Sequence, residues 1–194
     1  MIFIPGTNGD DVLRGTNAAE EIFGDNGNDD INGGGGDDFV RGGAGDDTVR
    51  GGNGNDDVNG GSGNDIVLGG FGDDNVKGGE GDDTVNGGQG NDILAGGSGT
   101  GDLDGGADTF IYDGAWGDES GDDIVLDFED GSDLIQLANA SITGVSQVGD
   151  DVVITLDNAG TAPGASAGTG TLTLKSVLLA DIDANDFIGD TGFF

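Results

Sequence analysis

Between Gly6 and Ala95 one aliphatic residue recurs at every ninth position: Leu13, Ile22, Ile31, Val40, Val49, Val58, Val67, Val76, Val85 and Leu94. Two residues before each stands an acid, and almost everything between is glycine or polar. The aliphatic and its two neighbours are the x-U-x part of the repeat. It fits a strand of about three residues, because side chains alternate across a strand and the aliphatic alone then faces inward. The other six positions read G-G-x-G-x-D, which is turn chemistry: glycine supplies positive φ and lets backbones approach closely. Ten such repeats run without insertion or deletion. Two of them, eighteen residues, close one coil in which both rows of aliphatics meet. The expected fold is all-β: a parallel β-roll of five coils, about 24 Å long at a strand spacing of roughly 4.8 Å.

The register breaks after Ala95, where Gly96-Gly97-Ser98-Gly99-Thr100-Gly101 puts glycine in the acid's place and Asp102 comes one residue late. In Asp108-Thr109-Phe110-Ile111-Tyr112 a bulky aromatic follows an acid by two residues, and a terminal coil needs a cap because repeats stack only on their neighbours. From 122 onward, segments 123–128, 133–137, 151–156 and 170–175 alternate apolar and polar residues, and antiparallel β is predicted for them. A flexible hairpin loop is expected over 157–169 and a short helix or turn over 177–187. The organisation read from this is a roll with an N-terminal strand and aromatic cap over 1–112, followed by an antiparallel capping region over 113–194. Residues 1–5, Met-Ile-Phe-Ile-Pro, are expected to add an edge strand or to cover the open first coil.

Composition changes the picture in one direction. The 194 residues include 45 glycines, 6% aromatics, no His and no Cys, with a formal charge of −34. High charge with little apolar content ordinarily means disorder, and the strict period argues against that here. So acidic a chain repels nucleic acid and anionic membrane, and points to cations as partners. Without His or Cys there is no Ser/His triad, no thiol nucleophile and no His-based zinc site, so the chain reads as non-catalytic. The N-terminus lacks the basic and apolar regions of a Sec signal, no stretch is long enough to span a membrane, and no separate enzymatic region is expected ahead of the repeats.

The recurring acids are Asp11, Glu20, Asp29, Asp38, Asp47, Asp56, Asp65, Asp74, Asp83 and Asp92. In a two-repeat coil those eighteen residues apart face each other across one strand spacing, where they repel unless neutralised. Ca²⁺ suits the arrangement, taking six to eight oxygen ligands from carboxylates and exposed carbonyls; Mg²⁺ is smaller and holds its water, and transition metals favour the absent His and Cys. Asp11/Asp29, Asp29/Asp47, Asp47/Asp65 and Asp65/Asp83 on one edge, with Glu20/Asp38, Asp38/Asp56, Asp56/Asp74 and Asp74/Asp92 on the other, give eight sandwiched sites. Residues 6–95 hold 20 acids and 4 bases, a charge of −16, which eight Ca²⁺ ions would match. Glu20, Ala18, Thr7 and Thr16 depart from the repeat and weaken the N-terminal sites. Acids at the fifth position (Asp10, Asp37, Asp46, Asp73, Asp82) read as turn formers and solubilisers. The outward ninth position carries Arg14, Arg41, Arg50 and Lys77, read as a solvated face.

The phrase G-G-x-G-x-D-x-U-x over residues 6–95 resembles the RTX family of secreted proteins, Asp108 to Tyr112 resembles the phrase that closes RTX arrays, and 105–188 is loosely similar to the C-terminal region of serralysin-type proteases. That resemblance implies sites completed by turn-glycine carbonyls, here Gly27, Gly34, Gly36, Gly43, Gly45, Gly52, Gly54, Gly61, Gly63, Gly70, Gly72, Gly79, Gly81, Gly88 and Gly90. It further implies an extracellular calcium-binding module that folds on Ca²⁺ after leaving the cell through type I secretion machinery, with a C-terminal signal in which Asp190 precedes Phe193-Phe194. The alternative is a carbohydrate-associated or adhesive matrix module, like those attached to alginate epimerases, in which the outward bases meet an extracellular polysaccharide.

Overall fold

The computed structural model describes residues 1–97, 106–114, 121–129, 131–158 and 167–188. The ten repeats place one strand each, in alternating sheets. One sheet holds β1 (Ile2–Thr7), β3 (Glu20–Asn26), β5 (Phe39–Ala44), β7 (Asp57–Ser62), β9 (Asn75–Glu80) and β11 (Ile93–Ala95). The facing sheet holds β2 (Val12–Arg14), β4 (Asp30–Gly35), β6 (Thr48–Asn53), β8 (Ile66–Phe71) and β10 (Thr84–Gln89). All neighbours among these strands are parallel, and the register advances by eighteen residues, as in Val40↔Val58 and Val49↔Val67. The β-roll is therefore the architecture, and the leader strand β1 pairs with β3 as expected.

Inside, the two rows of position-eight aliphatics meet, with Ile22, Ile31, Val40, Val49, Val58, Val67, Val76 and Val85 all fully buried. Leu13 in the first coil is only partly buried, because β2 is the open edge of its sheet. Each coil thus contributes only two aliphatics to the core. The turns between them need glycine: Gly43 (φ 128°) and Gly45 (φ 126°) hold angles that a side chain resists.

The same two sheets continue past the repeats. Strands β12 (Thr109–Asp113) and β14 (Leu134–Ala138) extend one, and β13 (Asp122–Val125) extends the other, all parallel to the strand before them. Phe110 aligns with Val85 and Ile135, so the aromatic does take the aliphatic slot, and it packs on Phe128. Antiparallel pairing was expected from 122 onward, and for β13 and β14 that is corrected. Alternation is common to both strand directions; what sets direction here is that Asp108-x-Phe110, Asp123-x-Val125 and Asp133-x-Ile135 keep the repeat's acid-to-core spacing although the glycines between are lost.

Antiparallel structure begins only with β15 (Ala140–Val148), β16 (Asp151–Asn158) and β17 (Gly168–Leu174). β17 is the seam: it runs parallel to β13 on one side and antiparallel to β16 on the other. Val152, Ile154, Leu156, Leu172 and Leu174 from these strands are buried in the core with Tyr112. Two short 3-10 turns at Leu179–Asp181 and Ala184–Asp186 lead into β18 (Phe187–Ile188), which adds to β14 in parallel. The tail with Asp190, Phe193 and Phe194, and most of the register break at 98–105, lie outside the described residues.

Candidate metal centre

The position-six acids form two ladders along the turn edges. On one edge the amide of Asp11 donates to Asp29 Oδ1 (2.8 Å), that of Asp29 to Asp47 (2.7 Å), and so on through Asp65 and Asp83. On the other, Glu20 donates to Asp38 (2.7 Å), followed by Asp56, Asp74 and Asp92. Acids eighteen residues apart are therefore adjacent rungs, as the sequence pattern requires.

Sequence reasoning stopped these ladders at Asp83 and Asp92, and the structure carries them on. The Asp83 amide donates to Asp108 Oδ1, the Asp108 amide to Asp133, and the Asp92 amide to Asp123. The signal was present as the D-x-(aromatic or aliphatic) spacing, but the intervals had grown from 18 residues to 25 and 31, which hid it from a search for a fixed period.

One oxygen of each carboxylate is spent on the ladder. The other, Oδ2, is buried without a hydrogen-bond partner in Asp29, Asp38, Asp47, Asp56, Asp65, Asp74 and Asp92. Burial without compensation shows in their acidities. Desolvation pushes Asp47, Asp56, Asp65 and Asp92 up to about 6 and Asp74 to about 8, with neighbouring carboxylates adding to the rise. Asp123 is likewise raised to about 8, by burial and then by Asp92. The rise works against the ionised form that a ligand needs, most strongly at Asp74 and Asp123, and a bound cation would reverse the shift.

The space beside each Oδ2 belongs to the first glycine of the repeat. A methyl group added at Gly42 would overlap Asp47 Oδ2 and also the carbonyl oxygen of Gly60 in the next coil, and Gly51 stands in the same relation to Asp56 and Gly69. An orphaned carboxylate oxygen and a backbone carbonyl thus border one point, which is a donor set for a hard cation. Among the described residues no three His, Cys, Asp or Glu side chains gather at one point, so backbone oxygens have to supply much of any coordination sphere. The glycines that the resemblance implies, at positions two and four from Gly27 to Gly90, all have positive φ. Several of their carbonyls, such as those of Gly34, Gly43 and Gly45, point up the stack at the same glycine of the next coil. The position-one carbonyls were not singled out in the sequence, because which carbonyl faces the acid is a property of the closed coil.

A second pair of ladders runs beside the first pair and was missed as such. At position five, Asp10 Oδ1 accepts from the Asn28 amide, Asn28 from Asp46, Asp46 from Asn64 and Asn64 from Asp82. The other edge runs Asp37, Asn55, Asp73, Asn91 and Asp122 in the same way. Acid and amide alternate strictly along these runs. Either side chain can accept the bond, so the alternation answers to charge: it doubles the separation of exposed carboxylates from about 4.8 Å to about 9.6 Å, a distance comparable to the screening length in physiological salt.

The outward bases are mostly consumed internally. Arg14 and Arg50 both bind Asp30, each at 2.7 Å, and hold its carboxyl below the usual range, while Lys77 lies 4.0 Å from Asp57. Arg41, near Phe23 and Asp25, has no ion pair among the described residues.

No curated protein sequence matches the chain. Among solved structures it is similar to the extracellular lipase LipA from Serratia marcescens, with 18% identity over 96% of this chain and a TM-score of 0.41; it spans 39% of that chain. It is also similar to the AlgE6R3 subunit of the Azotobacter vinelandii mannuronan C5-epimerase (22% identity, 94% of this chain, 80% of that one, TM-score 0.39). The AlgE6R2 subunit of the same epimerase gives 20% identity, 95%, 91% and 0.37. The profile of the RTX calcium-binding nonapeptide repeat, in its four-copy form, matches residues 5–40, 32–67 and 68–103. Those residues are just over half of the chain and hold every repeat with its ladder of acids, so this chain belongs to the family of RTX calcium-binding nonapeptide-repeat proteins.

Proposed function

We propose that the protein is a non-catalytic extracellular module whose roll folds when Ca²⁺ enters the gaps between successive position-six acids. The observation that supports this best is the run of buried Oδ2 atoms without partners from Asp29 to Asp74 and at Asp92. Burying an ionised carboxylate costs several kcal/mol even after relaxation, whereas one buried aliphatic contributes roughly 2 kcal/mol. Each repeat offers one of each, so burial alone does not hold the roll together at neutral pH. A divalent cation between two rungs offsets the cost, and its binding free energy becomes folding free energy. Within the repeats the rungs enclose at most the eight gaps counted from the sequence, and Asp108, Asp123 and Asp133 prolong both series. The remaining ligands are turn carbonyls, those of the position-one glycines together with those at positions two and four.

Secretion through a type I system follows the same physics. A site with Kd of about 10⁻⁴ to 10⁻³ M, the range of extracellular modules, stays empty in the cytosol and leaves the array unfolded and threadable; outside the cell it fills, and folding opposes return. The carbohydrate-associated alternative has less support, since three of the four outward bases on which it leaned are engaged by Asp30 and Asp57.

Calcium titration of the chelator-treated chain, followed by far-UV circular dichroism and calorimetry, tests the proposal. Strand signal is expected to appear cooperatively with calcium and not with magnesium at equal concentration. Full strand content in excess chelator at pH 7.5 would refute it. Export is tested by deleting 176–194 in a host with a type I exporter, where retention in the cytosol with calcium binding intact is expected.

A further inference from the structure

The end rungs of the ladders are built differently from the middle ones. In the first coil the amide of Thr7 donates to Asp11 Oδ2 (2.6 Å) and the Thr7 hydroxyl to the same oxygen (2.9 Å). In the next turn the amide of Thr16 donates to Glu20 Oε2 (2.8 Å) and its hydroxyl to Oε1 (2.7 Å). Each threonine hydroxyl also accepts an amide two residues on, from Gly9 and from Ala18, which fixes its orientation. Threonine thus stands at position two, where later repeats carry Gly34, Gly43 and Gly52, and four residues before the acid it bonds. At the far end of the first ladder the same four-residue closure recurs without a hydroxyl, the Glu129 amide donating to Asp133 Oδ2 (2.8 Å). From Asp38 to Asp74 the corresponding oxygens receive nothing from the protein.

We infer that Thr7 and Thr16 take the place of a cation, so that the Asp11/Asp29 and Glu20/Asp38 gaps bind no calcium and the ion series begins one coil further in. This rests on the reading that calcium fills the interior gaps. The chemistry is a substitution of like for like: a carboxylate needs its second oxygen neutralised or hydrogen-bonded, and two donors from one threonine do what an ion does elsewhere. Glu20 fits the same logic. Its longer side chain reaches both donors of Thr16 while remaining fully buried. An N-terminal coil closed by protein groups forms without metal and presents a finished rung on which the next, calcium-dependent coil can stack. Terminal repeats of a stacked array need such self-sufficient ends, since they have a neighbour on one side only.

Ions bound per chain are counted by equilibrium dialysis and calorimetry at saturating calcium on the full chain. The Thr7→Gly/Thr16→Gly variant restores the repeat's own residue and is expected to bind two ions more than the unaltered chain. Thr7→Ser/Thr16→Ser keeps the hydroxyls and is expected to bind the unaltered number. Asp11→Asn/Glu20→Gln retains acceptors for both threonines and removes two charges; its count is expected to be unchanged, and this arm decides the question even where the glycine variant fails to fold. A fall in the count of the Asn/Gln variant, or an unchanged count in a folded glycine variant, overturns the threonine assignment and leaves calcium binding by the interior rungs standing. An unaltered chain that binds no calcium overturns both.

Discussion

The roll and the β15–β17 meander solve the same problem with opposite chemistry. In the meander, Val152, Ile154 and Leu156 on one strand face Leu172 and Leu174 on the next, and the polar edge is tied by Lys175 to Asp151 and by Tyr112, whose hydroxyl accepts from Asn158 and donates to Gly121 O. From the second repeat on, the roll buries one aliphatic per repeat and, two residues before it, a carboxylate. The meander is held by apolar area; the roll carries a buried charge for every buried valine. On the proposed function, what separates them is the source of the compensating free energy, which the meander contains and the roll takes from calcium.

The largest effect that would sharpen this contrast is calcium removal. As chelator lowers free calcium, amide protection against hydrogen exchange is expected to vanish in Val49, Val58 and Val67 at concentrations where Ile154 and Leu172 remain protected. Simultaneous loss in both regions would break the distinction. Next come single ligand changes: Asp56→Ala or Asp65→Ala removes a rung shared by two gaps, and the calcium midpoint for folding is expected to rise roughly tenfold, the equivalent of about 1.4 kcal/mol. Asp11→Ala, at a rung closed by Thr7, is expected to move the calcium midpoint far less. Equal shifts would mean that the rungs do not share ions.

On the proposed function, proton and calcium compete for the same oxygens, so pH bears most strongly on the ladders, whose acids are raised, whereas Asp151 in the meander is lowered by Lys175. Folded Asp47, Asp56 and Asp65 titrate near 6 and Asp74 near 8, against about 3.8 for the same side chains when exposed. Between these values the folded, metal-free chain binds more protons than the unfolded one, so its stability falls as pH rises from about 4 to 8 and returns on acidification. In excess chelator, strand signal at pH 4.5 is therefore expected to exceed that at pH 7.5, measured by circular dichroism. In calcium the trend reverses as protons displace the ion. The smallest effect concerns the position-five ladder. Asn64→Asp inserts a carboxylate between those of Asp46 and Asp82, so that three consecutive coils carry one, and at about 4.8 Å in water each new contact costs roughly 1 kcal/mol. The loss in stability to denaturant is expected to disappear in 1 M salt, whereas Asp46→Asn, which only removes charge, is expected to be neutral.

The sequence by itself determined the nine-residue period, and with it the eighteen-residue coil, the inward aliphatics and the adjacency of Asp29 to Asp47, because a repeat without insertions leaves the chain one way to stack. The stacking of the acids was legible for the same reason: a carboxylate repeated at one place in a coil meets its own copies. Three things were decided only by the tertiary structure. The parallel direction of β13 and β14 depends on which distant strand they pair with, and alternation alone is silent on that. The alternation of Asp and Asn from Asp10 to Asp82 gains meaning only once residues eighteen apart are stacked and their amides bonded. And the closure of Asp11 and Glu20 by Thr7 and Thr16 goes with backbone angles in single turns: Thr7 and Thr16 lack the positive φ that Asp25, Gly34 and Gly43 have at the same position, and of these only the threonines donate an amide to the acid four residues on.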